Sequence, residues 1–482
     1  MNVVVATPIL ILSGAAVLAL VLGLLPLGEA GRWVPSAVAG AGIVATLVMS
    51  IVLWGDRQVG FDGNIRADRF SLLLMWVILP SAAAVIAMSL REPAAVARRS
   101  EYTGLIMLSA TGMVLTAMAG DLMVLFLGIE LLSVSLYVLC AVEVWRERSL
   151  ESGLKYLIIG GIGSAVFLYG LSFLYGVTGS TNLSDVGDRL GALALTDEPL
   201  LLVALTLIVA GLAFKVSAVP FHMWTPDVYE GAPTPVTAFM ATGTKAAGMA
   251  GFMLLFTGAL TAATSEWRTL IAALAAVTIV VGNVAALLQT NVKRLLAYSA
   301  IAQAGYLLIG VATGTLQGAE AVLYYLIAYA AMTLAAFAVV IVREREVEDG
   351  DTLAALTGYG RLRPWLGVVM TLSMLSLAGF PPLSGFVGKF LLFGSAVNDD
   401  MTWLAIVGAL GSAVSLAYYL RVAVVMWAPV PEAGPGGRKV LRVPVATAVV
   451  AVASTVCVVG LAIGASPLLR VCRDAAFSLL AP

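Results

Sequence analysis

Five ionisable side chains, Glu130, Lys155, Lys215, Lys245 and Lys389, lie within long hydrophobic runs, whereas the other Lys, Arg, Asp and Glu residues fall in or near connecting loops. A charge at the centre of a bilayer costs roughly 2.5–3.5 kcal/mol on insertion scales and more in simulations. Groups kept there face a bundle interior or a wet path, where they commonly handle ions or protons. A buried lysine can exchange its proton near neutral pH, because desolvation disfavours an ammonium and a nearby carboxylate favours it. One acid among four lysines leaves surplus positive charge. That suits a switchable relay, with hydroxyls such as Ser133, Ser135, Thr242, Thr244, Tyr298, Ser299, Tyr324 and Ser384 as stepping stones. The other reading is a Glu–Lys pair that only fixes helix packing. The single histidine, His222, either hands protons from Lys215 toward the cytoplasm or bonds a carbonyl at a helix end. Asp227 and Glu230, in or beside a short loop, read as structural or proton-uptake groups.

These positions imply a membrane frame. The 482 residues are 61% hydrophobic and 11% charged, against about 25% charged in soluble domains. The expected fold is all-α and integral to the membrane, with about fourteen spans of ~20 residues. They fall near 8–27, 34–54, 70–90, 102–119, 121–143, 154–177, 200–229, 233–260, 267–289, 294–315, 318–343, 365–397, 401–428 and 443–468. At ~1.5 Å per helical residue, Glu130, Lys245 and Lys389 come out near the midplane of a ~30 Å core. Lys155 begins its span and could instead snorkel to the surface. The first run lacks a basic n-region and a cleavage site, so it reads as a retained span. Loops after odd-numbered spans carry most of the Lys and Arg (Arg91, Arg98, Arg99, Lys293, Arg294, Arg343 and Arg438 among them). The positive-inside rule then puts both termini outside the cytoplasm. The mixed charges of residues 343–351 read as a solvated loop.

Other chemistry is unsupported. Cys140, Cys457 and Cys472 lack metal-ligand spacing, so disulfide, iron–sulfur and zinc sites are not expected. A net charge of −1 without a basic run gives no hint of nucleic acid. Gly160-Gly161-Ile162-Gly163 follows no strand and reads as helix-packing glycine, not a nucleotide loop.

Two spans are interrupted. Span seven contains Lys215-Val-Ser-Ala-Val-Pro220-Phe-His222-Met-Trp-Thr-Pro226, and span twelve contains Ala378-Gly-Phe-Pro381-Pro382-Leu-Ser-Gly-Phe-Val-Gly-Lys389. Proline removes an intrahelical hydrogen bond, and at membrane depth the freed carbonyls need a partner. Leu154-Lys-Tyr-Leu-Ile158 resembles Leu323-Tyr-Tyr-Leu-Ile327, and the same offset aligns Tyr137 with Tyr306, Glu130 with Ser299 and Lys155 with Tyr324. Five-span units related this way have inverted topology, as in many secondary transporters. The expected organisation is three spans in 1–100, a first repeat (spans 4–8) in 101–260, a second (spans 9–13) in 261–428, and a loop with span 14 in 429–482. Of the two copies, the first keeps an acid–base pair.

The stretch from Lys215 through Pro226-Asp-Val-Tyr-Glu-Gly-Ala-Pro-Thr-Pro-Val236 with Lys245 is similar to the antiporter-like membrane subunits of proton-pumping NADH:quinone oxidoreductase, respiratory complex I. Lys293-Arg-Leu-Leu-Ala-Tyr-Ser-Ala-Ile-Ala-Gln303-Ala-Gly-Tyr306 and Gly379-Phe-Pro-Pro-Leu-Ser-Gly-Phe-Val-Gly-Lys389-Phe carry the same resemblance. Within that family Thr242-Gly-Thr-Lys245 and Trp224-Thr-Pro226 fit the subunit N type; the larger subunits and the cation/proton antiporters usually differ there. The resemblance assigns Glu130, Lys155, Lys215, His222, Lys245 and Lys389 to the family's proton line. It implies a non-redox subunit in a bacterial plasma membrane, beside other membrane subunits, with no cofactor of its own. Quinone reduction elsewhere would drive protons outward. A subunit of a cation/proton antiporter is the alternative.

Overall fold

Backbone in hydrocarbon must satisfy its own hydrogen bonds, which leaves helices as the solution for apolar runs of this length. A computed structural model describes residues 2–25, 28, 33–55, 57–192, 199–347, 349–430 and 441–480. Its principal helices are α1 (Thr7–Leu22), α2 (Val34–Val52), α3 (Arg69–Ser89), α4 (Arg99–Ala117), α5 (Leu122–Cys140) and α6 (Glu147–Thr178). There follow α7a (Pro199–Val216), α7b (Trp224–Gly231), α8 (Thr234–Ala259), α9 (Thr264–Leu287), α10 (Val292–Thr313) and α11 (Leu316–Glu346). The chain ends with α12a (Pro364–Ala378), α12b (Ser384–Asn398), α13 (Thr402–Trp427), α14 (Val445–Ile463) and α15 (Ala465–Leu480). Twelve helices among the described residues are long and apolar enough to cross a membrane. The two remaining expected spans are α4, a helix of 19 residues dotted with Ser, Thr and Gly, and α12, divided into halves of 15 residues each.

The centre of the molecule is α8, whose apolar stretch is wholly enclosed, with α10 and α11 nearly so. The outer helices α1, α2, α6 and α14 show most of their surface. Small residues set the closest approaches: a Cβ on Gly128 of α5 would collide with Thr116 of α4, and one on Gly112 with the Leu132 backbone. Such contacts let two backbones touch where no water drives association. Gly160 makes room for the Tyr137 ring and Gly163 for Phe214, so that glycine run is indeed packing surface.

Some expectations are corrected. The helical fold also carries one short antiparallel hairpin, Gln58–Gly60 with Ile65–Ala67, that the sequence did not announce. Helix α15 was missed because its apolar residues alternate with Arg470, Arg473 and Asp474, an amphipathic pattern without a spanning run. The amphipathic helix Leu183–Ala192 was missed for the same reason. Residues 343–351 are not a free solvated loop, since α11 continues to Glu346, which pairs with Arg343 and Arg363. Arg421 lies inside α13 and reaches back to the Leu287 and Gln289 carbonyls at the end of α9. Arg438 falls outside the described residues.

Candidate functional site

The prolines decide which carbonyls are open. In an α-helix the carbonyl of residue i accepts from the N–H of residue i+4, and proline has none to give. Pro220 therefore orphans the carbonyl of Val216, the last residue of α7a. Pro382 orphans that of Ala378, the last residue of α12a, and Pro381 orphans that of Leu377. Each open oxygen is taken by a side chain. Lys245 Nζ of α8 donates to the Val216 carbonyl at 2.8 Å and to the Ala300 carbonyl of α10 at 3.0 Å. Lys389 Nζ of α12b donates to the Ala378 carbonyl at 3.2 Å and to Ser412 Oγ of α13 at 3.0 Å. Gln303 Nε2 of α10 donates to the Leu377 carbonyl at 3.1 Å. The α7 break is further fixed by Val219 N–H donating to Thr278 Oγ1 of α9 and by Thr225 Oγ1 donating to Ser217 Oγ. Ser217 adopts a left-handed φ of 63° to turn the chain.

Lys215 sits one residue before the open carbonyl of α7a, and its Nζ donates to Ser133 Oγ at 2.8 Å. Ser133 is one helical turn from Glu130, whose Oε1 accepts the Ser164 hydroxyl of α6. Ser133, one turn from Glu130, thus holds Lys215, and the carbonyl of the next residue, Val216, holds Lys245. Lys215, Lys245 and Lys389 are 7%, 2% and 3% exposed. None of the three makes an ion pair among the described residues. Carbonyl and hydroxyl dipoles therefore hold these ammonium groups without neutralising them. Lys245 also directly follows a widened π turn, Met240–Thr244, a feature frequent at functional sites.

Two of the expected residues sit elsewhere. Lys155 is ion-paired and partly exposed rather than enclosed. Helix α6 begins at Glu147, seven residues earlier than expected, so Lys155 lies at a polar end with its side chain 39% exposed. Its Nζ pairs with Glu151 at 2.6 Å and Asp227 at 2.8 Å. Arg294 completes the cluster, bonding Asp227 at 2.7 Å and Glu230 at 3.0 Å. A cavity of about 180 Å³ opens among Arg148, Lys155, Asp227 and Glu230. Among the described residues Lys155 thus pairs with Glu151 and Asp227, not with Glu130, and the ammonium held one helical turn from Glu130 is Lys215, on Ser133. His222 is half-buried between exposed Phe221 and Met223, and its Nδ1 is buried without a hydrogen-bond partner. No hydrogen bond joins it to Lys215 among the described residues.

Of the proposed stepping stones, Ser133 and Ser299 engage other helices. Ser135, Thr242 and Thr244 bond carbonyls one turn back on their own helix, and Tyr324 bonds the Leu461 carbonyl of α14. Sequence reasoning missed a buried polar group between Lys245 and Lys389. It comprises Asn283, Gln303, Tyr306, Tyr325, Ser412, Tyr418 and Tyr419. The signal was present in span thirteen, where Ser412, Ser415 and Tyr419 recur at the spacing of one helix face. Beside Lys389 a cavity of about 290 Å³ is lined by Phe380, Phe386, Phe390 and Ser412.

Comparison with known proteins places these features in a context. Residues 119–415 match the family described as NADH:quinone oxidoreductase/Mrp antiporter, transmembrane. The chain is 41% identical over 462 residues to NADH-quinone oxidoreductase subunit N of Desulforamulus reducens, with 95% of each chain covered. It is similar in structure to a chain of respiratory complex I from Thermus thermophilus with bound aureothin (35% identity, TM-score 0.81, 96% of this chain and 98% of that one). A chain of the Mrp complex from Dietzia shares the fold, with TM-score 0.85 at 22% identity, over 100% of this chain and 98% of that one.

Proposed function

The chain belongs to the NADH:quinone oxidoreductase/Mrp antiporter family of membrane subunits, and from that premise we propose that it moves protons across a bacterial plasma membrane as a subunit-N-type part of complex I. It carries no redox centre in this reading; quinone reduction in other subunits supplies the drive. The single observation behind the reading is the set of three enclosed, unpaired ammonium groups, two of which occupy carbonyls that prolines have left open.

Protons are taken up at the Lys155–Asp227–Arg294 end, on the cytoplasmic side, where a polar cavity meets α7b. Glu130, through Ser133, sets whether Lys215 holds its proton. A charge change there is felt at Lys245, because the α7 break joins the two lysines through one residue step, Lys215 to the Val216 carbonyl. Dipoles rather than a carboxylate hold Lys245, so a neighbouring charge decides its occupancy. Lys389 is the last buried base, and from it the proton leaves to the outside, where both chain termini lie. Each proton moved against 100 mV stores ~2.3 kcal/mol. The five-helix inverted repeat gives this line its geometry: Val216 and Ala378 occupy matching places, each closing the helix half that precedes a break.

The test replaces Lys215 and Lys245 by Ala in the assembled complex and measures quinone-coupled proton uptake by inverted membrane vesicles. Loss of pumping with electron transfer retained supports the relay. Wild-type stoichiometry with both lysines gone would make the buried charges a scaffold. Sodium-dependent proton movement without an electron donor would indicate a cation/proton antiporter instead.

A further inference from the structure

We infer that the Tyr419 hydroxyl is the proton-relay group between Lys245 and Lys389, with Gln303 as its positioning residue. This inference rests on the relay reading above and adds to it a link that no lysine, acid or histidine supplies.

Lys245 and Lys389 are held on different helices, and one chain of buried side chains runs between their acceptors. Lys245 bonds the Ala300 carbonyl of α10. The residue before it, Ser299, shares a hydrogen bond with the Tyr419 hydroxyl of α13. Gln303, one turn further along α10, donates its Nε2 both to Tyr419 Oη at 3.1 Å and to the Leu377 carbonyl at 3.1 Å. The next carbonyl, that of Ala378, takes Lys389. Ser412, which shares both Lys389 and the Ala378 carbonyl, lies two turns from Tyr419 on the same face of α13. Ser299, Gln303 and Tyr419 are 2%, 0% and 0% exposed.

The donor order is set at Gln303. Tyr325 donates its hydroxyl to Gln303 Oε1 at 2.5 Å, which uses the amide oxygen and turns the Gln303 NH₂ toward Tyr419 and Leu377. An amide has two donors and one acceptor oxygen, so Tyr419 Oη must accept from Gln303. The Ser299–Tyr419 bond can run either way; with Ser299 as its donor, Tyr419 Oη accepts from both Ser299 and Gln303 and turns its own proton toward the Ser412 side. A hydroxyl that accepts on one side and donates on the other is what a proton hop requires. When Lys245 releases a proton toward Ser299, Ser299 passes its hydroxyl proton to Tyr419, and Tyr419 passes its own toward Lys389. Each oxygen gains one proton and loses one, the net movement is one proton from amine to amine, and no lasting tyrosinate forms. This route requires water for the two steps longer than a direct hydrogen bond, from Lys245 to Ser299 and from Tyr419 to Ser412. Tyr306 and Tyr418 do not share this position, because their hydroxyls both bond Asn283.

The experiment compares Tyr419→Phe with Lys245→Ala in the full complex, reading protons moved per electron transferred in sealed vesicles. Tyr419→Phe keeps the ring and removes one oxygen; the ratio is expected to fall to that of Lys245→Ala at unchanged electron-transfer rate. A wild-type ratio in Tyr419→Phe alongside a reduced one in Lys245→Ala overturns this inference alone. A wild-type ratio in Lys245→Ala overturns the relay reading on which it stands. Should Tyr419→Phe fail to assemble, a fluorinated tyrosine at 419, isosteric but more acidic, is expected to displace the pH optimum of pumping downward. An unchanged optimum with an unchanged ratio rejects a proton-carrying role.

Discussion

Lys245 carries two opposed energies. Its ammonium satisfies the Val216 and Ala300 carbonyls, and leaving a buried acceptor open costs about 1–3 kcal/mol. Holding an enclosed charge without a counter-ion costs several kcal/mol the other way. Replacing it with Met exchanges one penalty for the other, so Lys245→Met is expected to melt within a few degrees of wild type while pumping is lost; a collapsed melting temperature would make the lysine structural. Glu92 offers a separate check away from the relay. Burial, then the neighbouring Glu344, pushes its carboxyl up to about 7, with Glu143 acting the same way and Arg345 and Lys293 opposing. The folded chain thus keeps a proton that the unfolded chain, with the ordinary value near 4.5, has already released. Stability from this group is full below pH 4.5 and declines as pH rises toward 7. Glu92→Gln should therefore raise the melting temperature at pH 8 and leave it unchanged near pH 4.5; equal effects at both pH values would refute the assignment.

The helices show how differently backbone and side-chain facts are written in a chain. The breaks were legible, because Pro220, Pro381 and Pro382 name the residues four places earlier whose carbonyls must find donors. Which donors come was not: Lys245 is on the helix after its break, whereas Lys389 follows its break on the same span. Offset arithmetic alone could not distinguish these, since the lysines do not align when the prolines do. Lys155 misled for a simpler reason, its helix starting at Glu147 with polar residues that hydropathy discounts. Tyr419 and Gln303 were easy to pass over because a neutral side chain in an apolar run carries no charge; only the helix-face spacing of Ser412, Ser415 and Tyr419 marked the first of them. The packing that holds these parts gives its own prediction. Gly128→Val would press on Thr116, an overpacking that typically costs 1–3 kcal/mol. It should separate α4 from α5, draw Ser133 off Lys215 and lower both assembled complex and pumping. Native gels and proton uptake at wild-type levels would contradict that account. Thr278→Val leaves the Val219 N–H unpaired and should loosen the α7 break by about 1–3 kcal/mol, read as faster amide exchange there.

Across the molecule charges are held in more than one way. The polar end carries ion pairs of Lys155, Asp227, Glu230 and Arg294, each partly exposed, and such pairs contribute only about 0–1 kcal/mol. Asp227→Asn should accordingly leave stability almost unchanged and slow proton uptake. A stability loss with a normal pumping rate would reverse that order. Lys215, Lys245 and Lys389 are enclosed and unpaired instead, kept by open carbonyls and hydroxyls. An arrangement selected for stability alone would have replaced them with apolar residues of similar volume. The decisive measurement is the number of protons moved per NADH oxidised by vesicles reconstituted with the Lys245→Ala complex. A ratio below wild type at the same oxidation rate is predicted. An equal ratio would mean that protons do not pass by way of this lysine.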